Sequence, residues 1–261
     1  MSTPSYKYTA DTSPDVWEEL KAFSNARIAL GHVGNSIPLK EVLQLRLAHA
    51  YAKDAIYTPL DVVGLQQDLS VFNYPIFYLK TKVTDRDEYL RRPDLGKELD
   101  KKSTSLLNEN TKDFDIVFVI TDGLSATAVN SQIKVLLETV IDTLDLKYKI
   151  AIALVEQGRV AIGDPIASIL KARFSVVCIG ERPGLSSPKS MGIYTTYNPT
   201  IGTTDERRNC ISNVHADGLQ TTVAAKMLHY LLTKSIENEI SGVNLKLNMN
   251  QMLNFSRNFI K

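Results

Sequence analysis

The spacing of apolar residues changes near residue 112 of the chain. Before this position apolar side chains recur at helical spacing, as in Leu39, Leu43 and Leu47, which predicts a mainly helical region. Ser36 is expected to cap the first helix, with Pro38 in its first turn. The expected elements are a helix over 36–56, a helix over 61–72, a strand over 76–83, a loop with a helical turn over 85–98 and a polar helix ending near residue 108.

After residue 112 short apolar runs alternate with helical patterns. Ile116–Thr121 and Ser175–Ile179 are rich in β-branched residues, which is typical of buried strands. The expected elements are strand 116–121, helix 126–144, strand 149–155, helix 165–173, strand 175–179, an extended stretch 192–197 and helix 219–238. Strands that alternate with helices predict a parallel sheet. We therefore predict an α/β fold, with a Rossmann-like parallel sheet flanked by helices and preceded by a smaller, mainly helical N-terminal domain.

These patterns divide the chain into three predicted regions. Residues 1–24 are polar and rich in Ser, Thr and Pro apart from Trp17, Leu20 and Phe23, so a loosely ordered arm with one short helix is expected. Residues 25–111 are predicted to form the helical domain, and residues 112–261 the Rossmann-like domain.

The composition of the chain limits the classes of function that are expected for it. Lys and Arg total 30 against 29 Asp and Glu, and this balance disfavours binding to nucleic acid or to an anionic membrane. The apolar runs fall far short of the roughly 18 residues of a membrane span. Met1–Tyr6 lacks the charged and apolar regions of a secretory signal, so a cytoplasmic location is expected.

Neither cysteines nor histidines show the spacing of a metal site. Cys178 lies in a predicted buried strand and Cys210 in a predicted polar loop, and neither has a C-x-x-C partner. Free thiols are therefore expected in a reducing compartment, and no protein-bound metal is predicted.

The strongest chemical signal is Glu181, which directly follows a predicted buried strand and opens the Pro- and Gly-rich loop up to Pro188. Ligands of open α/β sheets bind at the carboxyl ends of the strands, so Glu181 stands where a binding surface is expected. The plainer alternative is an ion pair with Arg159, Arg182 or Arg208.

Nucleotide motifs are missing from the chain: neither G-x-G-x-x-G nor the P-loop motif is present. The first strand is followed by Thr121–Ala126, where Asp122 or Ser125 is expected to cap the next helix, with ligand contact as the alternative.

Several sequence segments resemble the small subunit of ethanolamine ammonia-lyase, an adenosylcobalamin-dependent bacterial enzyme. They occur in the family's order and cover residues 26 to 245. The matching segments are Ala26–Gly31, Tyr89–Gly96, Thr121–Ala126, Gln157–Asp164, Gly180–Pro188 and Arg208–Asn213. His32 departs from the resemblance, since an arginine is expected there.

The resemblance implies that the domain 112–261 contacts adenosylcobalamin through Val160, Glu181 and Cys210. Corrin amide N–H groups need acceptors, which suits Glu181, whereas Val160 and Cys210 are expected to act through backbone groups and packing. For Val160, simple core packing is the alternative. No catalytic residue is expected on this chain, because the substrate belongs to a large subunit with a TIM-type barrel.

The resemblance also implies a hetero-oligomer of six small and six large subunits, in the cytoplasm or inside a bacterial microcompartment. Asn213–Gly218 approximates the D-x-H-x-x-G signature of cobalt-ligating histidines. Its leading Asp is replaced by Asn213, and the family keeps dimethylbenzimidazole on cobalt. His215 is therefore expected to be an ordinary loop histidine.

Two other functions remain open from the residues alone. A flavodoxin-like, non-catalytic interaction module would fit the missing nucleotide motifs. A hydrolase using Asp122 would need a second carboxylate nearby, but Asp113 and Asp115 are expected at the opposite end of the same strand.

Overall fold

The computed structural model describes residues 15–24, 26–144 and 148–246. The chain separates into two compact units. One unit contains the residues up to Asp54 together with Gly184–Ser186, and the other contains Ala55–Pro183 and the residues from Ser187 onward.

The first long helix, α1, spans Leu39–Tyr57. It starts three residues later than predicted, because Ser36 exchanges two backbone hydrogen bonds with Val33, at 2.8 and 3.1 Å, in a turn. The Pro38 carbonyl accepts the first backbone N–H groups of the helix instead. The existence of the helix is thus confirmed, and the prediction that Ser36 caps it is wrong.

The larger unit alternates helices and strands. Its helices are α2 (Val62–Leu69), α3 (Arg86–Arg91), α4 (Lys101–Glu109), α5 (Ala126–Ile141), α6 (Gly163–Leu170) and α7 (Thr221–Asn238). Its strands are β1 (Ile76–Lys80), β2 (Ile116–Thr121), β3 (Ile150–Glu156), β4 (Phe174–Gly180), β5 (Met191–Tyr197) and β6 (Arg208–Val214). Short 3-10 helices include Leu95–Lys97, Val160–Ile162 and Asp205–Arg207.

Aspartates begin three of these helices. Asp61, Asp85 and Asp100 precede α2, α3 and α4, and each carboxylate accepts a hydrogen bond from the backbone N–H three residues later. Such caps satisfy N–H groups that have no partner inside the helix, and each is worth about 1 kcal/mol.

The six strands form one mixed sheet in the order β1-β3-β2-β4-β5-β6. The first four in this order are parallel, whereas β5 runs antiparallel to both β4 and β6. The α/β class is confirmed, but the prediction of a parallel sheet is wrong for β5 and β6. Only ten residues separate β4 from β5, which is too short for a parallel crossover of a dozen or more residues.

Helices cover both faces of the sheet. On one face, α5 and α7 enclose a core that contains Ile116, Phe118 and Ile120 of β2. On the other face, α6 packs against β4 and α4 packs against β1, over Val117 and Val119. Strands buried on both sides need apolar residues at every position, which explains the continuous apolar runs of β2, β3 and β4.

The predicted domain limits at residues 24 and 111 stay predictions, as does the narrower Rossmann-like classification. Strand β1 bears on the limit at residue 111: it lies ahead of this residue in the chain, yet it pairs in parallel with β3 of the sheet. The helix predicted to reach residue 144 ends at Ile141. Among the described residues, no helix combines the length and the apolar character needed to cross a membrane.

Candidate functional site

Glu181 lies immediately beyond β4, as predicted, and neighbouring strands hold its carboxylate. Ser190 donates its hydroxyl to Oε2 at 2.5 Å, and the backbone N–H of Asn213 donates to the same oxygen at 3.2 Å. The Glu181 backbone N–H donates to the Ser190 carbonyl at 2.9 Å. These contacts fix the carboxylate at the end of the sheet while its residue stays half-buried.

Two of the three arginines proposed as ion-pair partners of Glu181, Arg159 and Arg208, are engaged elsewhere. Arg159 stacks on Tyr89, with its guanidinium carbon 3.9 Å from the ring centre, and donates to the Tyr89 carbonyl at 2.7 Å. Arg208 pairs with Asp164 at 2.7 Å. Among the described residues no ion pair of Glu181 is present, so the carboxylate keeps acceptor capacity for a ligand.

Cys210 lies on β6 opposite Tyr194 of β5, so the prediction that it lies in a loop is wrong. Cys210 is exposed, but loss of surrounding water raises the pKa of its thiol, and the nearby Glu181 carboxylate adds to this rise. Burial likewise raises the pKa of Tyr194, and Cys210 and Glu181 contribute. Both groups are therefore protonated at neutral pH.

Val160 begins the 3-10 helix after β3. It is partly buried and packs against the same core layer as Tyr194, on the face of the sheet covered by α4 and α6. Val160 and Tyr194 thus belong to one face, and Tyr194 in turn lies beside Cys210 and Glu181.

Gly192 is buried and lets Glu181 and Tyr194 approach each other closely. A Cβ added there would lie 3.1 Å from Glu181 Oε1 and 3.2 Å from Tyr194 Cε2. These distances are tighter than ordinary van der Waals contact, so a side chain at this position would push against the carboxylate and the ring. Glu181 and Tyr194, which are both partly exposed, offer a ligand an acceptor and an aromatic packing surface.

Tyr194 was not singled out from the sequence. Its stretch, Gly192–Tyr197, was predicted as extended, and the alternation along a strand puts Gly192 and Tyr194 on one face. That alternation was the available signal, but it needed the pairing of β5 with β6 to show that Cys210 shares the face.

Asp122 does not form a second site. Burial raises its pKa to about 6, although Arg86 at 3.3 Å and hydrogen bonds from Thr121 and the Gln157 N–H oppose the rise. Neither Asp122 nor Ser125 caps α5 through its side chain, since Ser125 donates to the Pro188 carbonyl at 2.7 Å. The expected cap is therefore wrong.

The crevice between the ends of β2 and β4 is closed. Gly123 adopts φ +54°, and the N–H of Leu124 donates to the Gly180 carbonyl at 2.8 Å. Any side chain at Gly123 would collide with Gly180. The described residues also hold no cluster of three or more metal-ligating side chains. Asp122 shares a small pocket of about 170 Å³ with one other carboxylate, Glu156, which is paired with Lys80 at 3.0 Å.

His215 follows β6 and contacts its own loop. Its Nε2 lies 2.8 Å from Asn213 Oδ1, and its backbone N–H donates to the Leu219 carbonyl at 3.1 Å. These contacts give the ring and the backbone of His215 partners within the same loop.

Fold and site together define an α/β protein with a partly buried carboxylate, Glu181, held at the end of a central strand of a mixed sheet. A model of the ethanolamine ammonia-lyase light chain (EutC) family matches residues 14–246. The chain belongs to this family, and it is therefore a subunit of a lyase that acts in a complex with a large subunit.

Close relatives support this assignment. The ethanolamine ammonia-lyase small subunit of Pseudomonas fluorescens (strain Pf0-1) is 44% identical over 236 residues, which cover 88% of this chain and 86% of that protein. The small subunit of Ralstonia nicotianae is 44% identical over 243 residues, covering 91% and 90%. That of Azotobacter vinelandii is 42% identical over 246 residues, covering 91% of both chains. The resemblance found in the sequence is thus confirmed.

Proposed function

We propose that this chain forms one wall of an adenosylcobalamin site that a large subunit completes. The observation that carries the proposal is that Glu181 and Cys210 both lie beside the partly exposed Tyr194, with Gly192 allowing the close approach of Glu181 to the ring. The carboxylate offers acceptors to amide N–H groups of the corrin rim, and Val160 and Cys210 offer backbone and packing contacts. When bound, adenosylcobalamin supplies the radical chemistry that converts ethanolamine to acetaldehyde and ammonia.

The chain's own part in the reaction is to bind and orient. Charge-neutral, protonated Tyr194 and Cys210 keep this wall free of additional negative charge, and the Ser190 hydroxyl and Asn213 N–H hold the Glu181 carboxylate in place. No residue of this wall is proposed to touch the substrate. Isolated chain is therefore expected to show no turnover.

The proposed assembly contains six small and six large subunits in the cytoplasm, with packaging into a bacterial microcompartment as an additional expectation. The near-neutral charge balance and the small-subunit names of the relatives support a protein partner. They give no support to nucleic acid as a partner.

The test is the affinity of the assembled complex for adenosylcobalamin. Glu181→Ala should weaken binding roughly tenfold or more, as expected for the loss of a charge-assisted hydrogen bond. Glu109→Ala removes an exposed carboxylate at the end of α4 and serves as the matched control. Unchanged cofactor affinity in a folded Glu181→Ala complex would contradict the assignment of Glu181.

A second measurement tests the function as a whole. Acetaldehyde and ammonia should be released only when chain, large subunit and adenosylcobalamin are all present. A chain that forms no complex with a large subunit would favour the non-catalytic interaction module instead.

A further inference from the structure

A groove of about 1090 Å³ opens beside the proposed cofactor contacts. Its lining includes Ala161, the neighbour of Val160, and Arg208, which precedes Cys210 by two positions on β6. Typical small-molecule sites measure roughly 300–1,000 Å³, so the groove can hold a substantial part of a ligand. The groove therefore borders both chain segments that carry these proposed contacts.

Four basic and three acidic side chains line the groove, which gives it a small excess of positive charge. Lys82 is paired with Glu98 at 2.5 Å, and Arg208 is paired with both Asp164 and the exposed Asp205. Lys97 and Lys101 are exposed and form no ion pair within the part of the chain that the structure describes. These two ammonium groups are therefore available to an anionic group in the groove.

The remaining lining suits an anion attached to a less polar body. Lys101 and Ser105 are four residues apart on α4, so they lie on the same side of that helix. Leu99, Ile169 and Ile201 supply apolar surface to the same groove. An inorganic anion alone would use the lysines but not the apolar wall.

We propose that Lys97 and Lys101 bind the phosphodiester in the nucleotide tail of the cobalamin, and that the groove accommodates part of that tail. This inference rests on the proposed function, because it assigns a second part of the same ligand to this chain. Ammonium groups bind phosphate as compact charges, and the apolar wall accommodates the less polar parts of the tail.

The experiment compares two corrinoids on the assembled complex with a large subunit. Adenosylcobalamin carries the nucleotide phosphodiester, whereas adenosylcobinamide lacks the nucleotide tail but keeps the corrin ring and the adenosyl group. In the variant K97Q/K101Q the dissociation constant for adenosylcobalamin should rise roughly tenfold, while that for adenosylcobinamide should change less than about twofold. Binding is measured by equilibrium dialysis and does not depend on turnover.

A matched control is available on the same helix. Lys102→Gln removes an exposed lysine next to Lys101 that does not line the groove. It should leave the dissociation constants of both corrinoids unchanged. Equal losses in Lys102→Gln and in K97Q/K101Q would show a general charge effect and overturn the proposal.

The other outcomes separate this inference from the function on which it rests. If K97Q/K101Q loses affinity for both corrinoids, or for neither, the proposed role of the two lysines is overturned while the proposed function stands. Inorganic phosphate could bind in a way that depends on the two lysines while K97Q/K101Q shows no selective loss of affinity for adenosylcobalamin. That result would assign the groove to a free anion and would also overturn the proposal. A wild-type complex that binds neither corrinoid would overturn the proposed function, and the inference with it.

Discussion

Asp164 of α6 and Arg208 of β6 form a bidentate ion pair, with oxygen–nitrogen distances of 2.8 and 2.7 Å. Both side chains are only 3% exposed. Arg208 also donates to the Thr203 carbonyl at 2.7 Å. Asp164 follows Val160 by four residues and Arg208 precedes Cys210 by two, so the pair links the two segments that carry these proposed contacts.

Asp164→Asn should lower the free energy of unfolding by about 3–5 kcal/mol, because it leaves the buried Arg208 charge without its main partner. Chemical denaturation measures this change. Asp205→Asn is the matched control: Asp205 also contacts Arg208, at 3.2 Å, but is 96% exposed, so its loss should cost less than about 1 kcal/mol. Equal effects of the two substitutions would contradict the structural role given to the buried pair.

The buried carboxyl of Asp122 predicts a pH dependence of stability. Its pKa is about 6 in the folded chain against an ordinary value of 3.8. Between these values the folded state retains a proton that the unfolded state has released, so the stability contributed by Asp122 falls as pH rises. The fall amounts to about 3 kcal/mol between roughly pH 4 and pH 6, and the contribution is constant above that window.

Unfolding free energies of the wild-type chain and of Asp122→Asn, measured from pH 4 to pH 8, test this prediction. The free energy of unfolding of the wild type relative to that of Asp122→Asn should decrease as pH rises from about 4 to about 6, and should then stay constant. Asp113→Asn, an exposed carboxylate ahead of the same strand, controls for the loss of a carboxyl group. A difference between wild type and Asp122→Asn that does not vary with pH would contradict the assigned pKa.

Strands buried on both faces could be predicted from the sequence, since β2, β3 and β4 leave unbroken apolar runs. Strand β6 could not be predicted in this way. Of the seven residues in Arg208–Val214, only three are buried, and polar Asn209, Ser212 and Asn213 interrupt the apolar pattern. An edge strand tolerates such residues because one side of its ladder faces no partner.

The candidate site was predictable to a similar extent. Glu181 was located from the end of a strand, because the carboxyl edge of a sheet is fixed by local pattern. The positions of Tyr194 and Gly192 in the site could not be predicted, because they depend on an antiparallel strand pairing that the spacing of apolar residues does not reveal. The groove at Lys97 and Lys101 depended on distant segments that only the fold brings together.

The two cysteines should differ strongly in reactivity. Cys178 is fully buried in β4, and burial raises the pKa of its thiol to about 12, whereas Cys210 is exposed with a pKa raised above its ordinary value. A thiol reagent should therefore modify one cysteine slowly in the folded chain, and two after denaturation. Cys210→Ala should abolish the native reaction. Two thiols reacting in the folded chain would contradict the burial of Cys178.

A stripe of exposed apolar side chains on α1 predicts that the isolated chain aggregates. Leu39, Leu43, Leu47 and Tyr51 follow one another at four-residue spacing, with exposed fractions of 71%, 52%, 52% and 57%. They therefore lie along one side of the helix, over a length of about 18 Å. Water-exposed apolar surface of this kind is usually covered by a partner.

The variant L43E/L47E should reduce aggregation of the isolated chain and weaken its assembly with a large subunit, because two charges in the stripe oppose burial of its apolar surface. Size-exclusion chromatography of the chain alone, and co-purification with the large subunit, measure the two effects. Gln44→Glu adds a charge at an exposed polar position of the same helix, and should change neither. Aggregation and assembly that persist in L43E/L47E would show that this stripe is not the surface that the partner covers.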